Sequence, residues 1–210
     1  MHHPTRTALA VLALLAVLAP TPATAGDDPP KEQPSQPDLA RELHDMVKVD
    51  QEARQEMIRT TGAGKPVDPA LVEKLTAIDR KNTARLKEIV DKHGWPGKSL
   101  VGAVGAQDAW LLVQHADRDP AFQKRCLELM TPLVVKGEVS AINVAYLTDR
   151  VRVAEGKPQV YGTQFRQADG KMEPSPIEDE ARVDERRKSV GLPPLAEYRK
   201  QLEEVYRKKP

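Results

Sequence analysis

Residues 67–94 read VDPALVEKLTAIDRKNTARLKEIVDKHG, and this stretch decides the fold class. Val67 is placed to act as a staple, Asp68 to cap, and Pro69 to take the first helical position, where a missing N–H costs nothing. Leu71, Leu75, Ile78, Leu86, Ile89 and Val90 then recur at helical spacing. Gly94 supplies the stop, because glycine readily adopts the left-handed conformation that closes a helix. A long amphipathic helix with both ends marked argues for a helical domain.

The flanking sequence repeats the pattern. Upstream, Asp38 is a candidate cap, and Leu39, Leu43, Met46, Val47, Met57 and Ile58 fall on one helical stripe. Downstream, a third helix is expected from about Leu100 to Ala116, with Ala103, Ala106, Trp110 and Val113 along it. Asp119-Pro120 is a second cap-plus-proline start, leading through Phe122, Cys126, Leu127, Met130 and Leu133 to a stop at Gly137. Ser140 is read as the cap of a fifth helix with Ile142, Ala145, Tyr146 and Val153 inward. The period then changes. Gln159 to Phe165 is rich in β-formers, Asp169-Gly170 marks a tight turn, and Lys171 to Glu173 can pair back, so a hairpin is expected. Charged helical stretches follow at Glu178–Val190 and Leu195–Arg207. The expected fold is mainly α: a compact multi-helix single domain over residues 38–207 with one small β-hairpin.

Composition limits the function. The chain has 210 residues, 32 Lys and Arg against 31 Asp and Glu, and one cysteine. Near-zero net charge argues against binding to nucleic acid, which needs a cationic surplus facing phosphates. A single cysteine makes no internal disulfide. Residues 1–25 read as a signal peptide: a weakly basic start, an apolar run from Ala8 to Ala19, and Ala23-Thr24-Ala25 as the cleavage pattern. The run falls well short of the ~20 residues needed to span a bilayer. A secreted or periplasmic protein without a stable membrane anchor after cleavage is therefore expected. Gly26–Pro37 carries four prolines and no large apolar residue, the composition of a disordered linker.

Several polar residues fall on apolar faces. Asp50 and Arg54 share the first helix's buried stripe and can pair at i,i+4, which favours a structural contact over direct chemistry. Gln114-His115-Ala116-Asp117 ends the third helix; His115 is either an acid–base group whose pKa Asp117 raises, or a cap on the last carbonyls. His93 and Trp95 flank the Gly94 stop, His93 as an ordinary last-turn residue or a ligand contact, Trp95 as a seal between helices. Tyr146 and Asp149 share the inward face of the fifth helix, whereas Arg150 is expected to pair in solvent. On the expected strand, Gln159, Tyr161, Thr163 and Phe165 point one way and Gly162 and Gln164 the other. Cys126 lies among apolar neighbours, as a core residue and not a nucleophile. No HExxH or CxxC spacing supports a metal, and GxSxG and phosphate-loop motifs are absent.

Together, Asp50-Gln51, His93-Gly94-Trp95-Pro96, Gln114-His115-Ala116-Asp117, Ala145-Tyr146-Leu147-Thr148-Asp149-Arg150 and Gln159-Val160-Tyr161-Gly162-Thr163-Gln164 resemble one bacterial family of unknown function, number 6624. The resemblance runs from about Leu39 to Tyr198, including Pro176-Ile177-Glu178-Asp179 and Gly191-Leu192. It implies no particular activity, but the polar groups chosen by helical phase also carry it.

The expected site is a polar pocket with His115 as general base or acid, Asp149 or Asp117 as its orienting carboxylate, and Gln164 as a donor to substrate. His93, Trp95, Gln114, Tyr146, Arg150, Gln159 and Tyr161 are the expected substrate contacts. Metal-independent hydrolysis or lyase chemistry on an extracytoplasmic substrate is one reading, with no cofactor and a small-molecule, peptide or glycan ligand. The alternative is a secreted binding or scaffolding module whose polar network is structural.

Overall fold

A computed structural model describes residues 33–62, 67–168 and 171–207; the signal-peptide reading, the linker through Glu32 and the Asp169-Gly170 turn lie outside the described residues. Seven α-helices and one two-stranded antiparallel sheet occur among them. The helices are α1 (Pro37–Gly62), α2 (Pro69–His93), α3 (Lys98–Gln114), α4 (Pro120–Met130), α5 (Ala141–Ala154), α6 (Val183–Ser189) and α7 (Leu195–Arg207). The strands are β1 (Phe165–Ala168) and β2 (Lys171–Pro174), with Phe165 opposite Pro174 and Ala168 opposite Lys171. The fold is thus mainly helical with one hairpin, and no described helix is long and apolar enough to cross a membrane.

Local chemistry sets the helix starts. Asp68 accepts from Ala70 N at 2.9 Å, and Asp119 accepts from Phe122 N at 3.0 Å. Ser140 differs from its expected role: its backbone is extended, but its hydroxyl makes no capping bond. The fourth helix stops at Met130, short of Gly137, because Pro132 has no N–H to continue the ladder and residues 131–133 tighten into a 3-10 turn. α3 begins slightly earlier than expected and is broken at Gly102, whose φ of 75° only glycine adopts readily. Just before α1, Ser35 N donates to Ser99 O at 3.1 Å and Gln36 N to Leu100 O at 2.9 Å, so the end of the proline-rich stretch is fastened to the domain.

α1 packs most extensively on α3, α2 lies against both, and α5 joins α3 to α4. Leu43, Leu86, Ile89, Leu112, Val113, Met130 and Leu147 form the fully buried centre with Cys126, whose thiol burial pushes up to about 12. Trp110 Nε1 donates to Asn143 O at 3.0 Å, tying α3 to α5. Trp110, Tyr146, Tyr198 and Phe165 then stack edge to face, with successive centroids 6.1, 6.3 and 5.6 Å apart, and carry the core out to α7 and the hairpin.

The main departure from expectation is at residues 159–164, which form a loop instead of the first strand. Asp149 explains it. Its carboxylate accepts from Val160 N at 2.6 Å, Tyr161 N at 3.0 Å and Thr163 N at 2.9 Å, so donors that a ladder would use are spent on α5. Gly162, at φ 66°, lets the chain turn about this anchor. Arg187 holds the opposite side, Nη1 donating to Tyr161 O at 2.6 Å and Nε to Pro193 O at 2.6 Å while its guanidinium lies over the Tyr198 ring.

Candidate functional site

The stripe of α1 turns polar at Asp50 and Arg54, and the stripe of α2 turns polar at Asp79, between Leu75 and Leu86. Asp50 meets the C-terminal end of α3 at His115, and Arg54 ties Asp50 to Asp79. Asp50 and Arg54 are buried, and Arg54 Nε donates to Asp50 Oδ1 at 3.0 Å. Arg54 Nη2 also bonds Asp79 Oδ1. His115 Nδ1 lies 2.9 Å from Asp50 Oδ2, at ion-pair distance but off the line of a well-formed hydrogen bond. The contact nonetheless favours the tautomer with its proton on Nδ1, leaving Nε2 with the lone pair.

His115 is released from capping by Gln123, whose Nε2 donates to Val113 O at 3.0 Å and Asp117 Oδ1 at 3.2 Å. The helix end that a histidine was equally placed to satisfy is satisfied from α4.

Electrostatics divides the three groups. Burial pushes the Asp50 carboxyl up, but the close contact with the His115 ring and the bonds and charge of Arg54 outweigh it and hold it at about 2. Burial pushes His115 down, assisted by the Arg54 and Arg150 charges and only partly opposed by Asp50, so the imidazole is neutral near pH 7. The expectation of a raised value fails because burial dominates and because Asp117 is turned to another partner. Burial raises Asp79 to about 6, the Asp50 and Asp117 carboxylates adding to it against Arg54. An ionised carboxylate and a carboxyl that titrates near 6 thus share Arg54, and the first of them contacts a neutral imidazole.

The expected site residues separate into three groups. Gln114 and Arg150 stand beside His115. Arg150 is mostly buried instead of pairing in solvent: Nε donates to Gln114 Oε1 at 2.9 Å and Nη1 to Asp117 Oδ1 at 2.7 Å. Asp117 is therefore held by Arg150 and Gln123, and does not orient His115. Asp149, Gln159, Tyr161 and Gln164 form a second group around the 159–164 loop. Both Asp149 oxygens are taken by that loop, Oδ2 also accepting from Thr163 Oγ1 at 2.9 Å. Gln159 receives Gln164 N at 2.8 Å and donates to Gln164 O at 3.0 Å, while Gln164 Nε2 donates to Thr163 Oγ1 at 3.0 Å. Burial pushes Asp149 up against these donors. Tyr146 belongs to the aromatic stack. Trp95 forms part of a third group, lining a small cleft with Trp110, and His93 ends α2 half-buried.

The i,i+4 spacing of Asp50 and Arg54 points only to a structural contact, and Asp79 belongs to none of the quoted motifs. The signal was present: Leu75, Asp79, Asn82 and Leu86 share one helical stripe, so a carboxylate sits on a face that otherwise turns inward. Among the described residues, no three His, Cys, Asp or Glu side chains gather as metal ligands.

Fold and site define a helical domain with a buried histidine–aspartate pair where its first three helices meet. The chain belongs to a family of unknown function (DUF6624), whose model matches residues 37–210. No curated protein and no solved structure matches it.

Proposed function

We propose that the protein is a general acid–base enzyme, a metal-independent hydrolase or lyase acting on an extracytoplasmic substrate. The observation that carries this reading is the His115 imidazole held neutral against the ionised Asp50. Asp50 orients the ring and stabilises the imidazolium that forms when Nε2 accepts a proton. Asp79 is suited to return a proton, because a carboxyl near 6 is a competent acid close to neutral pH. Arg54 fixes Asp79 and Asp50 to one side of the site. Asp149 and Gln164 serve here as supports of the 159–164 loop. The extracytoplasmic setting rests on the leader-like residues 1–25.

The rival reading, a binding or scaffolding module, draws on the Asp149 and Arg187 contacts, which are structural in kind. One experiment separates the two. Chromogenic esters, amides, phosphoesters and glycosides are assayed with the wild type, His115→Gln and Asp50→Asn, alongside their melting curves. The enzyme reading expects turnover of at least one class, reduced about 10²–10⁴-fold in His115→Gln while the fold persists. It fails if His115→Gln turns over every accepted substrate at the wild-type rate. It fails equally if no class is accepted and both variants melt far below the wild type.

A further inference from the structure

We infer that the substrate of the His115 site carries a carboxylate, which Arg150 and Gln114 seat in the place held here by the side chain of Asp117. The inference deepens the acid–base reading by naming a substrate class, and it rests on that reading for His115 as the reacting group.

Arg150 reaches from α5 to the end of α3, and its guanidinium is only partly engaged. Nε donates to Gln114 Oε1 at 2.9 Å and Nη1 to Asp117 Oδ1 at 2.7 Å, while Nη2 has no partner among the described residues. The side chain keeps 14% of its surface exposed, so a ligand can reach it. Gln114 is wholly buried, and with Oε1 turned to Arg150 its Nε2 is a donor without an acceptor. A buried donor left unmade costs about 1–3 kcal/mol. Both open positions are donors on adjoining groups, next in sequence or in space to His115. A ligand that complements them is an acceptor, and beside a guanidinium the favoured acceptor is an anion.

Asp117 shows the chemistry that fits. Its carboxylate meets one guanidinium nitrogen through one oxygen and is 59% exposed. A free carboxylate can accept from Nη1 and Nη2 together, the two-pronged geometry that arginine favours. The exchange needs no preformed cavity: Asp117 swings outward and vacates a space of carboxylate size. Gln123 keeps its bond to Val113 O, so the end of α3 stays satisfied. Charge limits the ligand further. Arg54 is already shared by Asp50 and Asp79, and the Asp50 and Asp117 carboxylates both act on Asp79. A singly charged carboxylate therefore suits the site better than a doubly charged phosphate.

The Arg150 Nε–H and the Gln114 side-chain amide report on the seat in proton–nitrogen NMR spectra. The full chain is titrated at constant ionic strength with acetate, N-acetylglycine, neutral N-acetylglycinamide and inorganic phosphate, up to about 50 mM, a ceiling that detects millimolar affinity. Both carboxylates should shift these signals saturably, N-acetylglycinamide should not, and phosphate should bind more weakly than either. Arg150→Gln should weaken N-acetylglycine binding at least about tenfold, the loss of one charge-assisted hydrogen bond. Asp117→Asn, at an exposed position that leaves the fold intact, should tighten it about threefold or more, because a competing surface ion pair is gone. His115→Gln should still bind N-acetylglycine while losing turnover, so failure of the seat and failure of the acid–base reading are separate results. The inference is overturned if neither carboxylate binds, or if phosphate or N-acetylglycinamide binds as tightly. It is overturned equally if Arg150→Gln binds as the wild type does, or if Asp117→Asn fails to tighten binding.

Discussion

Replacing Asp79 by asparagine should stabilise the protein at neutral pH. Burial and two neighbouring carboxylates raise this carboxyl from 3.8 to about 6. A group whose folded pKa is raised binds its proton more tightly in the folded state, so ionisation at neutral pH acts against folding. A shift of about 2 units corresponds to about 3 kcal/mol. Asp79 keeps 24% of its side chain exposed, and solvent screening lowers the gain to about 1.5–3 kcal/mol. For a domain of this size that is about 3–10 °C in Tm. Asparagine keeps an oxygen for Arg54, and Arg54 retains Asp50. Thermal melts of wild type and Asp79→Asn at intervals from pH 4 to 8 test the sign as well as the size. The gain should be full above about pH 6, shrink as pH falls, and vanish near 3.8, where the carboxyl is protonated in both states. Equal melting at pH 7.5, or a less stable variant, refutes the reasoning: the Arg54 contact would then outweigh the burial that opposes ionisation. A confirmed gain also strengthens the functional reading, since a carboxylate kept at a cost to stability is kept for another purpose.

The remaining predictions concern the other buried groups. His115 has a folded pKa below 6.5, so the wild type should lose stability as pH falls below that value, and urea unfolding at pH 5 and 7.5 should find this loss absent in His115→Gln. Asp149→Asn places an NH₂ group where only acceptors fit, and should cost about 2–4 kcal/mol in urea unfolding while amide exchange at Val160, Tyr161 and Thr163 quickens. Gly162→Ala combines a φ of 66° with a Cβ 2.9 Å from Ile177 Cδ1, and should lower stability by about 1–3 kcal/mol in the same assay.

The parts of this fold that were legible in the sequence are those written within a few residues. Asp68-Pro69 and Asp119-Pro120 start helices because the caps bond two and three positions ahead. Asp50 and Arg54 pair at i,i+4 as their spacing requires. The first strand was illegible because its backbone donors answer to Asp149, on a different helix. The partner of His115 was hidden for the same reason. Asp117, two residues away, is the nearer carboxylate in sequence, but Arg150 and Gln123 claim it, and Asp50 reaches the imidazole across the α1–α3 seam. A helix stripe tells that a charge is buried; it does not tell which charge it meets.

The loop held between Asp149 and Arg187 also bears on the order of folding. Its contacts close short spans of chain: 11 to 14 residues on the aspartate side and about two dozen on the arginine side. The α1–α3 seam instead joins His44 to Asp108, 64 positions distant, and Asp50 to His115 over a similar span. Loop closure is slower over longer spans, so the segment from α5 to α7 is the part able to assemble early and locally. The histidine–aspartate pair belongs to the late seam. In refolding experiments the environment of the 159–164 loop should become native before the His115 imidazole meets Asp50, and the site would be the last thing the chain completes.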